Sequence, residues 1–148
     1  MSQFAHLKKL DVQGGQTAEF HLHALDGTPV LHVRPALESN TSYFNASLKS
    51  SRKNMRAMRN GNINAGLLDE TRETDRELYA KHVVVGWKGI QDAQGKDVPF
   101  TREVCAEFLD ALPNWLFDEL REFCGTPVNF INDDQVDGET VGKNSKSG

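Results

Sequence analysis

Two proline-punctuated apolar stripes, set close together towards the carboxyl end, constrain this chain more than any other feature. Within residues 83–123 a β-branched run reaches Trp87, a loop carrying Gly95 follows, and Val98-Pro99-Phe100-Thr101 leads into the first stripe. Thr101 is placed to cap a helix with Val104, Cys105, Phe108, Leu109 and Leu112 on one face, and Pro113 closes it. Asn114 is the expected cap of a second helix bearing Leu116, Phe117, Leu120, Phe123 and Cys124. Gly125 reads as its left-handed stop, with Pro127 two residues beyond. Such helices need another layer to cover them. The segment does not gather the polar groups a reaction would require.

A hairpin supplies part of that layer. Phe20 to Leu25 and Val30 to Arg34 alternate around the turn residues Asp26-Gly27-Thr28-Pro29. Placing Leu25 opposite Val30 pairs Ala24 with Leu31, Leu22 with Val33 and Phe20 with Pro35. Phe20, Leu22, Ala24, Leu31 and Val33 then share one face, and His21, His23, His32 and Arg34 the other. Asn40 or Thr41 can cap a helix from Tyr43 to about Arg59 with a narrow stripe of Phe44, Leu48, Met55 and Met58, stopped by Asn60-Gly61-Asn62. A second helix is expected from Asp69 or Thr71 through Leu78, Tyr79, His82 and Val85, ended by Gly86 or Gly89.

These elements define an α+β class: an N-terminal β-hairpin packed with three to four α-helices. The expected organisation is an arm over residues 1–16, one domain over 17–131 and a polar tail over 132–148. That tail has two valines as its only sizeable apolar groups, too few to offset its ordering entropy, so it is expected to be disordered. No charged start leads into a secretory apolar core and no apolar run approaches about 18 residues, so a soluble, unprocessed protein is expected.

The net charge of −4 hides a strong partition. Residues 49–59 carry Lys49, Arg52, Lys53, Arg56 and Arg59 without an acid, whereas residues 69–77 hold five acids against Arg72 and Arg76. Pairing of this basic stretch with that acidic one is the favoured reading. Nucleic-acid binding through residues 49–59 is the alternative, weakened by the absence of interleaved aromatics.

Candidate chemistry is sparse. His23 and His32 would be cross-strand neighbours with His21 nearby, but a fourth ligand is missing, so no metal is assigned and solvated histidines are expected. Cys105 and Cys124 fall on apolar faces and read as buried thiols suited to a reducing compartment. No nucleophile elbow or phosphate-binding glycine pattern occurs, so neither a catalytic residue nor a cofactor is assigned.

A resemblance enters with particular residues: Leu31-His-Val-Arg34-Pro35-Ala36, then Asn40-Thr-Ser-Tyr43-Phe44-Asn45-Ala46, and Val85-Gly86-Trp87-Lys88-Gly89-Ile90 followed by Gly95 and Val98-Pro99-Phe100-Thr101. Over residues 17–125 the chain resembles tail assembly chaperones of long-tailed bacteriophages. The resemblance implies a non-enzymatic helper in the host bacterial cytoplasm that binds the tape measure protein and assists polymerisation of the tail tube protein around it. It brings no catalytic residue. The apolar stripes nominate Phe44, Met55, Met58, Trp115 and Phe117 for partner contact, and self-association or decoration of a filament is expected. A structural neck or tail component of the virion is a further alternative.

Overall fold

Alternating residues in the first third of the chain build two strands, β1 (Ala18–His21) and β2 (Val30–Val33). They pair antiparallel with Ala18 opposite Val33, Phe20 opposite Leu31 and His21 opposite Val30. The expected register placed Leu25 opposite Val30, so the strand has slid by four residues. Because that slip is even, Phe20 still shares a face with Leu31 and Val33. Residues 22–29 leave the ladder instead of forming a four-residue turn. The Leu22 N–H donates to the Pro29 carbonyl at 2.9 Å, and Gly27 (φ 78°) and Thr28 (φ 44°) turn the chain back. Leu22 is fully buried, whereas Ala24 is exposed and leaves the apolar face assigned to it.

A computed structural model describes residues 3–61 and 65–131, without the side chains of residues 53, 57 and 58. The tail expected to be disordered lies outside the described residues. Beyond the hairpin come α1 (Thr41–Arg59), α2 (Ala65–His82), β3 (Val84–Lys88), α3 (Arg102–Ala111) and α4 (Asn114–Cys124). Short 3₁₀ helices lie at Ala5–Leu10 and Pro127–Phe130. The architecture is α+β.

The third strand corrects the sequence reading, which carried α2 on to Val85. α2 stops at His82, and the β-branched residues behind it pair with β2 to give the antiparallel order β1-β2-β3. Leu31 lies opposite Trp87 and Val33 opposite Val84, with an irregularity between His32 and Val33. That bulge turns Val84 and Trp87 to the same inner side although they are three residues apart, and it leaves Val85 exposed.

Helices cover this inner face. Leu31, Val33, Tyr79, Val84, Leu109, Phe117 and Leu120 belong to one buried cluster. Tyr79 meets Tyr43 edge-on at 5.7 Å and Phe117 at 5.5 Å. Trp87 packs on Phe100 and Phe108 at 5.1 and 5.4 Å, and its Nε1–H donates to the Val98 carbonyl at 2.8 Å. Trp87 thus anchors the loop that delivers the chain into α3.

Helix punctuation follows the sequence in part. The Thr101 hydroxyl accepts from the Val104 N–H at 3.1 Å, as an N-cap should. Pro113, not Asn114, stands at the N-cap position of α4, because the Asn114 carboxamide oxygen is turned towards Arg76. Gly125 is not left-handed (φ −90°, ψ 3°). A Cβ there would lie 3.2 Å from the Arg121 carbonyl oxygen, a close approach that favours glycine for a different reason. Cys105 and Cys124 are free and buried, and burial pushes the Cys105 thiol up to about 12. Among the described residues no helix is long and apolar enough to cross a membrane.

Candidate partner-binding surface

α1 begins at a buried hub. Asn40 is fully buried, and its side-chain oxygen accepts from the Tyr43 N–H at 3.4 Å and the Ser42 hydroxyl at 3.2 Å. Its amide donates at 2.9 Å to both the Pro35 and His82 carbonyls. One side chain therefore caps the start of α1 and satisfies a carbonyl at the end of α2. The Arg102 guanidinium donates to the neighbouring carbonyls of Ala80 and Lys81 at 2.9 and 2.6 Å.

The rest of α1 is turned in an unexpected direction. Small and polar groups face α2: Ala46, Ser47, Ser50 and Asn54 are half-buried, and the Asn54 amide donates to the Thr71 hydroxyl at 3.4 Å. Tyr43, not Phe44, enters the core, and its hydroxyl lies 3.5 Å from Asp75 Oδ1. The expected stripe points away. Phe44 is half-buried, and Leu48 and Met55 are exposed by 50% and 51%. Met58 belongs to α1, but its side chain lies outside those described.

Beside Leu48 and Met55 run the exposed Lys49, Arg52, Arg56 and Arg59. Among the described residues none of these four forms an ion pair, which corrects the expected pairing with residues 69–77. Three of the α2 acids have other partners. Arg121 Nε donates to Asp75 at 2.8 Å, Lys81 approaches Glu77 at 3.6 Å, and Arg72 lies 3.7 Å from Asp69. Arg72 also holds Asp118 through two nitrogens at 3.0 and 2.8 Å, and Arg121 Nη1 donates to Asp118 at 3.2 Å. These bonds, led by those from Arg72, keep the Asp118 carboxyl below its ordinary range. Asp75 behaves oppositely, because its burial outweighs Arg121 and raises its carboxyl.

Between α1, α2 and α3 lies an open cleft of about 740 Å³, lined by Glu70, Glu73, Glu77, Glu107 and Asp110. Arg76 also lines it, yet its charge is already engaged. Its Nε donates to the Leu109 carbonyl at 2.8 Å and its Nη2 to Leu112 at 2.7 Å and to Asn114 Oδ1 at 3.2 Å. The guanidinium thus sits at the negative end of α3, where unpaired carbonyls stabilise a cation.

Two nominated residues separate at α4. Trp115 is 56% exposed. Phe117 is fully buried beneath the Arg76 guanidinium carbon, 4.8 Å from its ring centre, and is removed from the contact set. Its spacing with Leu116, Leu120 and Cys124 was the available signal, since all four occupy the buried side of one helix. Capping of α1 by Asn40 was legible in the sequence, but its bond to the His82 carbonyl, the seat of Arg76 and the Asp75–Arg121–Asp118–Arg72 chain were not, because those partners lie far along the chain.

The histidine arrangement also changes with the register. His32 Nδ1 and His21 Nε2 flank Glu19 at 3.9 and 3.8 Å, and His23 stacks on His21 at 5.9 Å instead of facing His32. Among the described residues no group of three His, Cys, Asp or Glu side chains is placed to hold a metal.

What the fold and surface define is a small α+β module that displays a basic-apolar helix face beside an acidic cleft. The chain belongs to the YdaY prophage protein family, whose model matches residues 38–143, and it is therefore a phage-derived protein. The match omits the β1-β2 hairpin and includes every helix of the exposed surface. No curated protein and no solved structure matches the chain.

Proposed function

We propose that this prophage protein is a tail assembly chaperone that works without catalysis in the host bacterial cytoplasm, shielding the tape measure protein until tail tube protein encloses it. Phage origin and the resemblance in residues 17–125 support this reading. The observation that carries it is the outward stripe of α1: Leu48 and Met55 are held at the surface by a helix whose inner face is small and polar. Half-exposed large apolar groups, Trp115 of α4 among them, suit an apolar helical partner bound reversibly. Contacts of this kind are weak one by one and gain strength from several copies on one filament.

Co-expression with the tape measure protein tests it. The wild-type chain is expected to keep that partner in the soluble fraction, and a Met55→Asp, Trp115→Asp variant that still folds should lose this effect. Partner solubility equal to wild type with the folded double variant would remove the surface from the proposal.

The α1 arginines, which form no ion pair among the described residues, favour one rival, a nucleic-acid-binding accessory protein. Affinity falling steeply with rising salt in a filter-binding titration would support it. Leu48 and Met55, set among those arginines, suit a protein surface better than a phosphate backbone.

A further inference from the structure

We infer that the arginine ridge of α1 docks into the acidic cleft of a second copy of this chain. Among the described residues the ridge has no charged partner: Arg52, Arg56 and Arg59 are exposed and form no ion pair there. The same molecule carries a surface of opposite sign, the cleft bearing Glu70, Glu73, Glu77, Glu107 and Asp110. Its two lining cations, Lys49 and Arg76, leave it negative against those five carboxylates.

The spacing of the two charge rows matches in one direction only. Arg52, Arg56 and Arg59 advance by four and then three residues. Read backwards, Glu77, Glu73 and Glu70 also step by four and then three. An antiparallel approach therefore sets Arg52 against Glu77, Arg56 against Glu73 and Arg59 against Glu70, each row spanning about 10 Å of helix. In a parallel approach the middle pair falls out of step by one residue, or roughly 100° of rotation. The exposed Lys81–Glu77 pair at 3.6 Å is a weak competitor.

Ridge and cleft are different surfaces, so the contact is heterologous, and a pair keeps one ridge and one cleft free for further neighbours. It uses a row of α1 beside the apolar row assigned to the tape measure protein. It does not depend on that assignment, since mass measured without any partner reads it alone.

Sedimentation of the full chain across salt and protein concentration tests the inference. Association beyond the single-chain mass is expected at low salt and should be lost at high salt, where exposed pairs are screened. Arg52→Glu, Arg56→Glu, Arg59→Glu in one variant and Glu70→Arg, Glu73→Arg, Glu77→Arg in another should each sediment as single chains. Mixed together they should associate again, because both ridge–cleft combinations regain opposite signs. Circular dichroism confirms folding, and the pair Arg56→Glu with Glu73→Arg repeats the swap if a triple variant does not fold. A wild-type chain that stays single at low salt, association indifferent to charge reversal, or a mixture that fails to recover would overturn the inference. So would a ridge that binds only nucleic acid.

Discussion

Arg76 and Arg56 stand on adjacent helices and meet opposite fates. Arg76 is buried against the carbonyls that end α3 and covers the Phe117 ring. Arg56 is exposed and forms no ion pair among the described residues. At the base of the helical layer, cations have become internal fastenings; along the outer face of α1 they are offered to something else. The lesson concerns geometry more than residue type. An arginine joins the fold where a helix terminus points unpaired oxygens at it, and stays available where only solvent does.

The contrast is sharpest for the aromatics of α4. Phe117→Ala should destabilise the protein by about 4 kcal/mol in chemical denaturation, through lost burial and an unfilled cavity. Trp115→Ala, one turn-direction away, should cost well under 1 kcal/mol, roughly the range of surface substitutions. Equal losses at the two sites would erase the distinction between core and surface drawn here.

For the arginines, Arg76→Ala should cost about 3 kcal/mol, because it takes the guanidinium donor from the Leu112 carbonyl, leaves the Leu109 carbonyl with the Leu112 N–H alone and uncovers Phe117. Arg56→Ala should change stability by no more than about 0.5 kcal/mol in the same urea titration. A large effect at Arg56 would mean that α1 depends on its outer face after all.

A smaller loss than at Phe117 or Arg76 belongs to Asp118, the carboxylate that joins α4 to α2. Asp118 is held below its ordinary value of 3.8 chiefly by Arg72, so its contribution is complete above that value and lost as pH falls through its lowered folded value. Asp75, raised by burial, works in the other direction just above 3.8, where the folded chain retains a proton that the unfolded chain releases. Asp118→Asn should therefore lower stability near neutral pH by about 1 kcal/mol, the pair being partly solvated, and flatten the acid side of the stability profile. An unchanged acid limb would show that the Arg72–Asp118 bond adds nothing in solution.

Much of this fold was legible because its signals are local. Periodicity located four helices, Thr101 and Gly61 marked boundaries, and alternation sorted the hairpin faces even though its register slid. The third strand was missed because Val83, Val84 and Val85 continue the apolar rhythm of α2, and only the free edge of β2 decides between helix and strand. Of the residues nominated for partner contact, Met55 and Trp115 are exposed, Phe44 is half-buried and Phe117 is buried. A stripe read along one helix does not say which side another helix will cover.

Composition and spacing alone settled an α+β chain with capped helices, buried thiols and segregated charge, since each follows from neighbours within a few residues. Tertiary packing decided the rest: that Arg76 would be consumed by the end of α3, that Asn40 would reach the end of α2 as well as cap α1, that α1 would turn its small residues inward, and that Arg52, Arg56 and Arg59 would form no ion pair among the described residues. Those outcomes depend on which helix termini and faces meet across distances of thirty or more residues, and no local pattern carries that information.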